Sequence, residues 1–193
     1  MRIMTTLTHT DPRERILATA YELFSRRAVR DVGVDELIGG SKVALATFYR
    51  HFRSKDDLVI AYLQMREEVW TIGLIEAEAR KRGDTPEARL LAIFDVFDEW
   101  FHRDDYEGCP FVNVVLEMGP GHPITQASIR HLERIREMVQ SLADEAGLCD
   151  TAKLARSWHI LMRGSIVSAA EGDQEAAKLA REMARDLINR HRG

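Results

Sequence analysis

Between Lys42 and Lys55 the chain gathers Thr47, Tyr49, Arg50 and His51, side chains able to donate hydrogen bonds to phosphate oxygens, within a segment only a few helical turns long. Val43, Phe48 and Phe52 are spaced to give that segment an apolar underside. The outward face is then Lys42, Ala44, Leu45, Thr47, Tyr49, Arg50 and His51. A short helix held from beneath and bearing donors above suits a DNA major groove, about 12 Å wide. Ala44 and Leu45 have no polar side-chain atoms, so any base reading by them is contact with thymine methyl groups. Arg50 can reach either a guanine edge or a phosphate. Lys55 stands in the first turn of the following helix, whose free amides favour a nearby anion.

Charge is distributed to match. The chain of 193 residues carries a formal charge of -4, but residues 1–55 hold 10 Lys and Arg against 6 Asp and Glu, while the remainder holds 17 against 25. A basic head on an acidic body presents one end to DNA. Catalytic signatures are missing: there is no His-Glu-x-x-His, no phosphate-binding glycine loop and no Gly-x-Ser-x-Gly elbow, so no enzyme is expected. Cys109 and Cys149 are too few for a disulfide framework and lack metal-site spacing, so neither metal nor cofactor is expected. No apolar leader or membrane-length run is present, which makes the cytoplasm the expected location and excludes a membrane partner.

The elements that must position this face follow from periodicity. With 45% hydrophobic residues and almost no strand-like alternation, the chain reads as all-α with about nine helices. Residues 1–10 read as a loose arm. Asp11-Pro12 starts a helix to about Ala28; a short helix over 34–38 stops at Gly39-Gly40, and another covers about 43–52. Ser54 with Asp57 caps a long connector to about Arg80, with apolar stripes through Leu58, Tyr62, Met65, Val69 and Ile72 and through Val59, Leu63, Trp70 and Leu74. Further helices are expected over about 86–101, 110–117, 124–145, 151–171 and 174–191.

The run Thr47-Phe48-Tyr49-Arg50-His51-Phe52-Arg53-Ser54-Lys55-Asp56-Asp57-Leu58 resembles the T-[LF]-Y-x-H-F-x-[SN]-K-[ED]-x-L signature of the TetR/AcrR family of bacterial transcriptional regulators. The resemblance implies a helix-turn-helix DNA-binding domain over 11–55 and a ligand-binding and dimerisation domain over 56–193. It implies that Thr47, Tyr49, His51 and Lys55 position phosphates, although Tyr49 and His51 could equally seal the joint with the long helix. Where the family commonly has Gly before the Val of the turn, this chain has Lys42. Either Lys42 adopts the left-handed conformation, at about 1 kcal/mol relative to Gly, or the turn has shifted onto Gly40.

In the body, Ala155, Trp158, Leu161, Met162, Ser165 and Ala169, then Ala176, Leu179, Ala180, Met183, Leu187 and Ile188, recur at helical spacing. They either close the monomer core or form a four-helix dimer interface through about 151–191, which the resemblance favours. The resemblance also implies a pocket for a small-molecule inducer, expected to be largely apolar. Candidate lining residues are Trp70, Phe97, Trp100, Phe101, Cys109, Phe111, Asn113, Met118, His159, Met162 and Arg163, each with a plainer role in the core. Glu117 and Arg163 could form a structural ion pair. Gly108-Cys109-Pro110-Phe111-Val112-Asn113 resembles a Gly-Cys-x-x-x-Asn stretch of some members, where Cys109 is either a buried inert thiol or a sensor. The expected function is thus a ligand-responsive repressor that binds a palindromic operator as a homodimer, with redox or electrophile sensing through Cys109 as the alternative.

Overall fold

Helix α1 (Pro12–Phe24) begins where the Asp11 side chain accepts the Arg13 amide at 3.0 Å, with Pro12 in the first turn where its missing N–H costs nothing. The computed structural model describes residues 11–192. After a 3-10 turn (Val29–Asp31) come α2 (Val34–Ser41) and α3 (Leu45–His51). The long helix α4 starts at Lys55–Arg66, passes through a π-helical stretch (Glu67–Glu76) and ends in Ala77–Arg82. Then follow α5 (Pro86–Phe101), α6 (Pro110–Met118), α7 (Pro123–Glu145), α8 (Thr151–Ala170) and α9 (Ala176–His191). Among the described residues the chain is therefore all-helical, with nine helices and no strand, and none of them is long and apolar enough to cross a membrane.

Two compact units divide these elements. The first holds the described residues up to Arg66 together with Pro110–Ile129, and the second holds Glu67–Cys109 together with residues from Arg130 onward. In the first, Ile16, Ala20, Leu37, Phe48, Leu58 and Val59 form a core from which water is excluded. Arg66 is buried there as well, its Nη1 donating to the Tyr21 hydroxyl at 2.8 Å. In the second, α5 packs against α9 and against the last turns of α4, and α9 packs on α8. Leu90, Ile93, Phe94 and Phe97 of α5 are fully buried, as the near-continuous apolar circumference of that helix requires.

Several boundaries differ from the expected ones, each for a local reason. Helix α1 stops at Phe24 rather than Ala28, because Val29 and Val32 must turn inward, to 5% and 0% exposure. Helix α2 runs on through Gly39 and Gly40 to Ser41. Gly40 is a packing residue: a Cβ there would lie 2.7 Å from Thr19 Cγ2 on α1. Helix α3 starts at Leu45, two residues later than expected. In α4 the buried set shifts to Glu67, Trp70, Thr71, Ile75 and Ala79, leaving Ile72 53% exposed although a 3.6-residue period places it inside. The i→i+5 bonding of a π-helix widens each turn, which moves the inward stripe along the sequence.

Gly83 ends α4, and its φ of -103° suits any residue. Space is what demands glycine, since a Cβ would fall 2.7 Å from both Ala88 C and Arg89 Cα, backbone atoms of α5 that have no rotamer to yield. Gly83→Ala should therefore lower the unfolding free energy by about 2 kcal/mol or more, read as a drop in the urea midpoint at unchanged slope.

Candidate functional site

The turn before α3 is built on strained backbone. Lys42 has φ 52° and ψ 44°, the left-handed conformation, and its amide donates to Gly39 O at 3.3 Å. Gly40 lies within α2, so the turn has not shifted onto the glycines. Ser41, 3% exposed, donates its hydroxyl to Leu37 O at 2.6 Å and satisfies a carbonyl at the helix end. Ala44 then opens α3, its carbonyl accepting the amides of Thr47 and Phe48 at 2.9 and 3.0 Å.

Phe48 and Phe52 are 0% and 4% exposed, and their burial sets which side of α3 faces out. That side carries Leu45 at 57% and Tyr49 at 46% exposure, flanked by exposed Lys42, Ala44 and Arg50 and half-buried Thr47, His51 and Lys55. Tyr49 leans edge-on against Phe48, with centroids 5.4 Å apart, which restrains its ring while leaving the side chain open. Arg50 Nη2 is 3.5 Å from Thr47 Oγ1, and Ser54 Oγ accepts the Asp57 amide at 3.1 Å to start α4. All eight expected DNA-face residues thus stand on or beside one short helix. Arg13, which sequence reasoning passed over, seats its guanidinium 5.5 Å from the Phe52 ring centroid, and only the fold brings α1 there.

This segment is also where the chain matches known proteins. Residues 16–62 match the family described as bacterial regulatory proteins, tetR family. Residues 16–62 are thus a TetR-type DNA-binding head. The chain is a DNA-binding transcriptional regulator. The HTH-type transcriptional regulator YjdC of Escherichia coli is 22% identical over 182 residues, 90% of this chain and 93% of that protein. The E. coli transcriptional repressor NemR is 28% identical over 112 residues, 58% of this chain and 56% of that protein. A solved TetR-family regulator of Streptomyces coelicolor superposes with a TM-score of 0.83 at 25% identity, covering 93% of this chain and 95% of that one.

In the body, the expected pocket residues are shared between the two units. Trp70, Trp100, Phe97 and Phe101 belong to the second unit and pack together, with Trp70 and Trp100 centroids 5.2 Å apart and Tyr106 5.0 Å from Trp100. His159 and Met162, 1% and 3% exposed, and half-buried Arg163 are also in that unit. Phe111, Asn113 and Met118 lie on α6 in the first unit, where Asn113 is exposed. Cys109 is half-buried at the start of α6. Glu117 does not serve Arg163 as an ion partner. Its carboxylate accepts the amides of Val29 and Arg30 at 3.0 and 2.5 Å, clasping the turn that leads into α2.

A buried polar network in the second unit was not anticipated. His131, 3% exposed, lies with Nδ1 3.2 Å from Glu67 Oε1 and Nε2 3.3 Å from Thr71 Oγ1, and Arg134 donates to Glu67 at 2.8 Å. A histidine on the otherwise apolar stripe of α7 was the available signal. Burial pushes the His131 pKa down to about 4 against the raising effect of Glu67, and burial with Arg163, Arg136 and His131 pushes that of His159 to about 3.

Both imidazoles are therefore neutral in the fold at neutral pH, whereas in the unfolded chain they titrate near 6.5. Their contribution to stability is complete above that value and is lost as pH falls toward the folded values, because the unfolded state binds protons first. Urea titrations should show stability falling from about pH 6 to pH 5, and His159→Gln should flatten the fall by roughly 1 kcal/mol per pH unit.

Proposed function

We infer that the protein is a repressor that binds a palindromic operator as a homodimer and is released by a small-molecule inducer, with residues 11–55 as DNA-binding head and 56–193 as ligand-binding and dimerisation body. The arm expected over 1–10 lies outside the described residues. One observation carries the reading: α3 is pinned by Phe48 and Phe52 so that Leu45, Tyr49 and Arg50 stand clear of the protein, next to a lysine in a strained turn. Thr47, Tyr49, His51 and Lys55 position phosphates, Ala44 and Leu45 meet base edges, and the Lys42 ammonium offsets its backbone strain with a phosphate contact.

Dimerisation draws on part of the expected set, Leu179 and Met183, joined by Ile160 and Val167. Ala155, Trp158, Met162, Ser165, Ala176, Ala180 and Ile188 are buried within the chain itself, closing its own core. Left outside are Ile160, Val167, Leu179 and Met183, between 50% and 65% exposed, with Gly164 set between the first two and open space beyond it. An apolar face interrupted by glycine admits a second helix pair closely, and two heads on a palindrome need the two-fold axis that such a face supplies. A second reading places regulation at Cys109, favoured by its partial exposure and by the description of a solved NemR structure as a reduced form.

Operator DNA selected from random sequence tests the reading. Tyr49→Ala and Lys55→Ala should weaken binding across sequences by tenfold or more. Lys42→Gly should raise unfolding free energy by about 1 kcal/mol while lowering the salt dependence of binding by about one phosphate contact. Val167→Glu with Leu179→Glu should give monomers and lose tight binding, and full operator affinity from that monomer would refute the dimer. Treatment with N-ethylmaleimide should leave operator binding of wild type and Cys109→Ser alike, whereas release of wild type alone would favour the cysteine reading.

A further inference from the structure

Helix α3 is oriented by the buried ring of Phe48, and each residue of a helix is turned about 100° from the one before it. Counted from Phe48, Ala46 stands at about 160° and Arg50 at about 200°, so the two bracket the line that points directly away from the core. Both are exposed. Tyr49 lies on one flank at about 100°, and half-buried Thr47 and His51 lie on the other at about 260° and 300°.

An α-helix with its side chains is about 10–12 Å across, which fills a major groove about 12 Å wide. The flanks of a helix seated in that groove meet the phosphate walls, and its outward midline meets the base edges on the floor. The flank residues of α3 are Thr47, Tyr49 and His51, the ones assigned above to phosphates. Ala44 and Leu45 enter at the leading end of the helix, and the midline adds Ala46 and Arg50.

Arg50 has the freedom to read a base. No acidic residue occurs on α3, and no carboxylate pairs with Arg50 among the described residues. Its one hydrogen bond to protein among those residues runs from Nη2 to Thr47 Oγ1 at 3.5 Å. That contact turns the guanidinium back along the helix toward the turn that holds Ala46, whose side chain is a single methyl. With so little bulk at position 46, the helix can approach the groove floor closely and leave room for a planar fork.

We propose that Arg50 sets the operator sequence by donating two parallel hydrogen bonds to O6 and N7 of one guanine in each half-site, with Ala46 permitting the close approach. The assignment rests on the reading of α3 as the DNA face, and of the two partners open to Arg50 from sequence it takes the guanine edge over the phosphate. A guanidinium has only donors, and guanine is the base that presents two acceptors side by side in the major groove.

The test selects DNA from random sequence with the full-length wild type, Arg50→Ala and Arg50→Gln, and measures each affinity on the wild-type operator over a range of salt. Wild type should enrich a palindrome with a guanine in each half that Arg50→Ala no longer requires. Discrimination at that pair should fall tenfold or more, with preferences elsewhere retained. Arg50→Gln should move the preference there toward adenine, whose N6 and N7 suit an amide. In the wild-type complex, 7-deazaguanine at that position, which lacks the N7 acceptor, should weaken binding by fivefold or more, and this measurement stands even if a variant fails to fold. A loss uniform across sequences, with the salt slope reduced by about one phosphate, would overturn the assignment, because Arg50 would then serve the backbone. So would guanine preference retained in both variants, or a wild-type operator in which no guanine is sensitive to the deaza substitution. A lowered Tm at unchanged specificity would also overturn it, since the charge near the end of α3 would then serve only the helix. If wild type enriches no sequence at all, the reading of α3 as a DNA face falls, and this assignment with it.

Discussion

A helix of seven residues cannot stand alone in water, because nucleating it orders more backbone than its few hydrogen bonds repay. Helix α3 is that short, so its existence and its orientation both depend on the burial of Phe48 and Phe52 against the rest of the first unit. Much else in that unit follows from the need to hold this underside still. Gly40 lets α2 approach α1 at Thr19, Ser41 ties off the end of α2, and Lys42 reverses the chain in a conformation that L-residues avoid. The outward face is then defined by subtraction, as whatever the core does not take.

The first unit is not a purely local structure. Its Val29–Asp31 turn is clasped by Glu117, a residue of α6 far along the chain, which satisfies two amides that would otherwise need water. His122, just beyond α6, lies 3.7 Å from Asp56 at the start of α4. Through Glu117, α6 thus holds the entry to the helix-turn-helix.

The second unit places its ionisable groups with equal economy of partners. Glu67 and Thr71 reach His131 from the π-helical part of α4, where wider turns bring residues four and five apart onto one side. His159 instead faces cations. The two histidines are both neutral, one because burial outweighs an adjacent carboxylate and the other because burial and charge act together.

Sequence alone was enough for the helices, their order and the recognition segment, because these rest on local signals: caps at Asp11 and Ser54, apolar periodicity, and a dense motif over 47–58. It also identified Lys42 as the residue at which the turn departs from its usual chemistry. What it could not contain was long-range pairing. Whether Glu117 met Arg163 or the amides of Val29 and Arg30, and whether Trp158 and Met162 faced a second copy or their own core, depended on which distant surfaces came together. The position of Ile72 depended on a change of helical pitch that a fixed 3.6-residue period cannot express. Local propensity determined what each segment is; tertiary packing decided which face of it was left to act.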